Sequence, residues 1–168
     1  MLENHSLVRL NAEFFERHKD HAEILSKQER PHLVLIIQVG ALTFAVPFRT
    51  SAHRPKLGKI SHCFFFSTSG RRVLSKEGKV PALDFSKAVV VTEQDIGKDA
   101  IIDHAEFIEM HDNMKTIEAR FRAFLKYYLD CIKTGKNLDK PVIRFSALQY
   151  FKDEMMFLNF EDDTSPRT

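Results

Sequence analysis

The sequence has no tryptophan and only two cysteines in 168 residues. Cys63 and Cys131 lie far apart and outside any Cys-x-x-Cys spacing, which excludes a disulfide scaffold and a cysteine-based zinc module. Both sit among apolar neighbours, so buried free thiols in a reducing compartment are expected. Apolar runs are short. The longest, Leu33 to Ile37, falls far below the ~20 residues that span a bilayer. The opening Met1-Leu2-Glu3-Asn4-His5 has no basic stretch leading into an apolar one, so no signal peptide is expected and the chain reads as cytoplasmic. Glycine and proline number six each, with no low-complexity linker and no internal repeat. There is no Gly-rich phosphate loop, no HExxH and no paired-carboxylate metal site. His18 and His21 are three residues apart without acidic residues on the same face, so no metal or other cofactor is expected.

What remains is a globular composition, 43% hydrophobic and 29% charged. It suits one domain over residues 1–168, long enough to bury roughly 70% of its unfolded surface. Fifteen phenylalanines must pack the core, stack on something, or both.

Periodicity divides the chain. Residues 7–10 suit a short edge strand. Residues 11–26 suit a helix with Phe14, Phe15, Ala22 and Leu25 apolar and Asn11 as N-cap. Residues 32–39 and 42–48 form a hairpin about Gly40-Ala41, with Phe44, Val46 and Phe48 on one face. Pro47 has no N–H, so this strand should lie at an edge or stop there. Residues 60–66 suit a third strand, with His62 half-buried within it, and 82–92 a fourth. Asp103 and Glu106 make a capping-box pattern at the head of a long helix, 103–134. Its stripe is Phe107, Met110, Met114, Ile117, Phe121, Phe124 and Tyr128, and Gly135 stops it. A shorter helix fits 146–156, with Leu148, Phe151 and Met155 apolar, and a frayed tail follows. The fold class is α+β: a strongly curved antiparallel sheet with flanking helices, one of them long.

The near-neutral total of +2 conceals a division. Residues 30–87 hold ten basic and two acidic side chains, a net +8, and the remainder holds fifteen basic and twenty-one acidic, a net −6. A β-rich part of such charge attracts a polyanion. The densest stretch is Arg49-Thr50-Ser51-Ala52-His53-Arg54-Pro55-Lys56, with Lys59 and His62 after it. Adjacent hydroxyls donate to phosphate oxygens, cations balance charge that grows in a transition state, and an imidazole moves protons near neutrality.

At this stretch the sequence resembles the toxin endoribonucleases of type III toxin–antitoxin systems, the ToxN, AbiQ and TenpN group, and TenpN-like members most. The matching features are Pro47-Phe48-Arg49-Thr50-Ser51 with basic residues after it, one residue longer than the family's Pro-x-Thr-Ser. Leu83-Asp84-Phe85-Ser86-Lys87-Ala88 is similar to the family's Leu-Asp-Tyr-Thr-Lys-Ala, and Arg144-Phe145-Ser146-Ala147-Leu148 to its Asn-Phe-Ser-Leu-Leu. Two features depart from the family. Its N-terminal tyrosine has only Phe14 and Phe15 nearby, and Arg30-Pro31-His32 stands where the family has a lysine.

The resemblance implies a compact curved antiparallel sheet and metal-independent RNA cleavage. In that reaction the 2′-hydroxyl attacks the adjacent phosphate, leaving 2′,3′-cyclic phosphate and 5′-hydroxyl ends. It also implies cellular RNA substrates, a role in phage defence by abortive infection, and inhibition by a small pseudoknot RNA antitoxin in a closed toxin–RNA assembly. On this reading Thr50 and Ser51 hold phosphate oxygens, His53 is general acid or base and Lys56 stabilises the phosphorane. Arg30, His32, Arg49, Arg54, Lys59, Arg71, Arg72 and Lys87 are candidates for binding RNA. One of Phe64, Phe65 and Phe66 is a candidate for stacking on a base, with core packing the plainer expectation. Two other readings remain open: a non-catalytic RNA-binding module, and a protein-interaction domain that pairs through the 103–134 helix.

Overall fold

The computed structural model describes residues 2–24, 33–53, 62–67, 79–99 and 104–160. Its order is β1 (Leu7–Leu10), α1 (Ala12–Arg17), β2 (Leu33–Val39), β3 (Leu42–His53), β4 (Cys63–Phe65), β5 (Lys79–Asp84), β6 (Val89–Val90), β7 (Ile96–Asp99), α2 (His104–Asp112), α3 (Met114–Thr134), α4 (Pro141–Arg144) and α5 (Lys152–Met155). Short 3-10 turns cover Phe85–Lys87, Glu93–Asp95 and Ala147–Phe151. The strands form one antiparallel sheet in the order β4-β5-β3-β2-β1-β7, and β6 also pairs with β3. The fold is the expected α+β class with a long helix, α3.

β2 and the first half of β3 read as nearly continuous apolar runs because both of their faces are covered. Leu35, Ile36, Ile37, Phe44, Ala45 and Val46 have no solvent exposure. α3 lays Ile117, Phe121, Phe124, Leu125, Tyr128 and Cys131 into the same core. Phe121 meets Phe44 edge-on at 5.2 Å and Phe85 at 5.6 Å, joining the helix to β3 and to the 85–87 turn. Gly40 holds φ +57° at the hairpin turn, where a Cβ would also lie 3.3 Å from Leu158. Gly135 ends α3 at φ +71°, the left-handed conformation that favours glycine at a helix C-terminus.

Several elements differ from expectation. α1 stops at Arg17 and does not reach 26. His18 leaves helical geometry at φ −109°, and the chain continues to Ile24 in tight turns. Ile24 is buried there and Ala22 is exposed. β3 runs six residues beyond Pro47. The proline falls where the strand changes partners, opposite Val34 of β2, and Phe48 then pairs with Leu83 of β5. The strand expected over 82–92 is broken into the end of β5, a 3-10 turn and β6, because Asp84 caps the turn by accepting from the Ser86 N–H at 3.0 Å. β4 is shorter than expected, at Cys63–Phe65.

The 103–134 helix is two helices. Asn113 separates them at φ −108°, ψ 13°, and its side-chain amide donates to the Glu109 carbonyl at 2.7 Å, competing with the backbone ladder. α2 turns Glu106 and Met110 inward, so Phe107 leaves the stripe and is exposed. The proposed cap Asp103 lies outside the described residues, as do Leu25 and the tail from 161. At 146–156 the apolar face is as expected, but its first turn is 3-10, and α4, opened by Pro141, precedes it.

Candidate functional site

β3 carries Arg49, Thr50, Ser51 and His53 in one run. Arg49 pairs with Ala82 of β5 and Ala52 with Val80, so Thr50 and Ser51 together stand opposite the single residue Pro81. This is a β-bulge, which bends a strand and re-aims its side chains, and bulges are over-represented beside active sites. Pro81 turns its carbonyl away from β3, where it accepts from Phe66 N–H on the β4 side at 2.9 Å.

Arg49 is fixed just before the bulge. Its Nη1 donates to Asp84 Oδ2 at 2.9 Å, and Asp84 is fully buried. The other carboxylate oxygen accepts from Ser86 Oγ at 2.5 Å and Ser86 N–H at 3.0 Å. Ser146 Oγ in turn donates to the Ser86 carbonyl at 2.7 Å, and both serines are buried. A continuous polar chain therefore runs from β3 through the 85–87 turn to the segment before the last helices. Asp84, Ser86 and Ser146 were not singled out as site residues from sequence. The local signal was the Asp-x-Ser spacing, which makes a side-chain-capped turn.

Lys87 sits at the end of that turn, half-buried, and its Nζ donates to the Phe145 carbonyl at 2.5 Å. Burial lowers its pKa. Asp84 and Glu23 act in the opposite direction, and Arg49 adds to the lowering.

His62, Cys63 and Asp84 bring one potential metal-ligand atom each within 4.8 Å of one another. Their chemistry is already occupied. Asp84 accepts from Arg49 and Ser86, the Cys63 thiol hydrogen-bonds to Asp84, and a guanidinium stands beside them. Burial first, and then the Asp84 charge, push the Cys63 thiol far up, which keeps it protonated and a poor ligand at neutral pH. Both cysteines are buried free thiols. His62 is half-buried as expected, just before β4, and its carbonyl accepts from Phe85 N–H at 2.8 Å.

A second polar group lies beyond Lys87. His18 Nδ1 and His21 Nδ1 are 2.9 Å apart, so one ring must donate and the other accept. His21 stacks on Tyr150 at 3.9 Å, and the Tyr150 hydroxyl donates to Glu23. Burial lowers the His18 pKa, helped by His21 and Arg17 and opposed by Asp95 and Glu154. The acidic and aromatic partners come from distant segments, which the i,i+3 histidine spacing alone did not reveal.

Of the twelve residues expected to act on RNA, Arg49 and Lys87 are brought onto one framework, and Thr50, Ser51 and His53 are placed by their backbone on β3. Arg30, His32, Arg54, Lys56, Lys59, Arg71 and Arg72 lie outside the described residues. Phe64 and Phe66 are core residues that meet edge to face, Phe66 also stacks on Phe48, and Phe65 is half-buried. No helix among the described residues is long and apolar enough to cross a membrane. No family model matches the chain, and no curated protein or solved structure does.

Proposed function

We propose that the chain is a metal-independent endoribonuclease toxin of the type III toxin–antitoxin kind, acting on cellular RNA and held inactive by a small pseudoknot RNA in a closed toxin–RNA assembly. The observation that carries the reading is the Thr50–Ser51 bulge opposite Pro81, next to the Arg49–Asp84 pair, within the segment of net charge +8. A bulge frees two hydroxyl-bearing residues from regular pairing, and an ion pair to a buried carboxylate fixes the strand that presents them.

The reaction needs no cofactor. The 2′-oxygen attacks the adjacent phosphorus as a base takes its proton, the P–O5′ bond breaks, and an acid protonates the leaving 5′-oxygen. Thr50 and Ser51 donate to nonbridging oxygens, Lys56 balances the charge of the phosphorane, and His53 serves as the acid or the base. Arg30, His32, Arg49, Arg54, Lys59, Arg71, Arg72 and Lys87 hold the strand through its phosphates.

The test is incubation of the purified protein with single-stranded RNA in EDTA, followed by end analysis. Fragments with 2′,3′-cyclic phosphate and 5′-hydroxyl ends are expected, and a 2′-deoxy substitution at the scissile nucleotide should block them. Binding with the RNA left intact would replace this reading with that of a non-catalytic RNA-binding module. For the protein-interaction reading, the apolar stripe of α3 is used by the chain's own core, and the exposed Phe107 and Ile108 of α2 are the apolar surface left on that segment.

A further inference from the structure

Phe145 is a large apolar side chain left 47% exposed at the end of α4. The Arg144 guanidinium lies over its ring, 5.2 Å from the centroid. Its carbonyl receives the Lys87 ammonium at 2.5 Å, and the next residue, Ser146, is fully buried and bonded to the Ser86 carbonyl. The ring is thus exposed while its backbone is clamped on both sides. The clamp is the same hydrogen-bonded chain that holds Arg49, since Ser86 and Arg49 share the two oxygens of Asp84.

From this arrangement we infer that Phe145 is a stacking platform for a base of single-stranded RNA, with Arg144 and Lys87 as its cationic flanks. An aromatic face beside cations is how proteins hold unpaired nucleotides, because every base has a π-face and every linkage a negative phosphate. An exposed phenylalanine with no cation nearby would fit many occupants. Here the two cations select a polyanion that carries flat rings. The platform is joined to the strand that carries the Thr50–Ser51 bulge through the hydrogen bonds of Ser146, Ser86, Asp84 and Arg49. The inference rests on the proposed reading for its RNA ligand, but it concerns binding and not cleavage.

The test uses the full chain and a fluorescein-labelled single-stranded 2′-O-methyl RNA, which cannot be cut by 2′-hydroxyl attack, with affinity read by anisotropy across a salt series. Phe145→Ala should weaken binding roughly tenfold with an unchanged salt slope, Phe145→Trp should restore it, and Phe145→Leu should not. Arg144→Ala should weaken binding and flatten the slope. Inorganic polyphosphate, which has no bases, should bind wild type and Phe145→Ala alike. Wild-type affinity in Phe145→Ala, restoration by Phe145→Leu, or a wild type that does not bind the RNA would each overturn the inference. Cleavage of unmodified RNA is scored separately. A wild type that binds through Phe145 without cutting defeats the ribonuclease reading alone, and one that cuts with no loss of affinity in Phe145→Ala defeats the platform alone.

Discussion

Arg49 Nη1 donates to Asp84 Oδ2 at 2.9 Å, tying the last regular residue before the β3 bulge to a carboxylate with no solvent exposure. Asp84 also accepts from Ser86, so it joins β3, β5 and the 85–87 turn. Asp84→Asn puts an amide donor where the carboxylate accepts from Arg49 and Ser86. We expect a loss of about 2–4 kcal/mol in urea unfolding, because the buried, charged partner of a half-exposed arginine is removed. RNA cleavage should fall further than global stability alone accounts for, since the bulge loses its anchor.

Ser51→Ala and Lys56→Ala are each expected to abolish toxicity while leaving the fold intact, as read by growth on induction together with thermal melting of the purified variants. Full growth arrest by either variant removes the role assigned to that side chain. The wild-type coding sequence should be maintained stably only beside DNA encoding a tandem-repeat RNA, which plasmid recovery with and without that segment will show.

Phe121 is fully buried between Phe44 and Phe85 and is the main rivet between α3 and the sheet. Phe121→Ala should destabilise the protein by about 3–5 kcal/mol in denaturant melts. Phe107→Ala, on the exposed face of α2, should leave the midpoint nearly unchanged.

His18 is held neutral in the folded chain chiefly by burial, with help from His21 and Arg17 and against Asp95 and Glu154. Its folded pKa therefore lies below the ordinary imidazole value of 6.5. As pH falls below that value the unfolded chain takes up the proton first, so the stability is present above about pH 6.5 and declines on acidification toward the folded pKa. Thermal melts should show a lower midpoint at about pH 5.5 than at about pH 7.5, and His18→Gln should reduce that difference.

Cys63 is buried and its thiol is pushed toward the protonated form, so it should resist a disulfide-exchange reagent in the native state and react once denaturant is added. Prompt reaction of the native protein would show that β4 opens locally.

The hairpin, the α3 stripe and the Gly135 stop were legible because each follows from local periodicity or backbone chemistry. The early end of α1 was not, because the residues that pull His18 and His21 away from helical geometry, among them Tyr150 and Phe151, are over a hundred positions distant. Nothing in the apolar stripe marks Asn113, yet its amide takes the Glu109 carbonyl where the helix divides. At the site, Thr50 and Ser51 drew notice by composition. What sets them apart from their neighbours on β3 is the bulge, and the pairing of 50–51 with 81 exists only in three dimensions.

The division of β3 at Pro47 also has a consequence for synthesis. Its first half pairs with β2, which precedes it in the chain, so that hairpin can close as soon as residue 47 has emerged from the ribosome. Among the described residues its second half pairs with β5, which comes later, and the irregularity at Thr50–Ser51 is formed against that strand. A nascent chain ending before residue 79 therefore has the hairpin but no bulge, and residues 48–53 lack their β5 partner until that strand arrives. Under the ribonuclease reading, the ribosome is shielded from a partly made product by the order in which its strands are made.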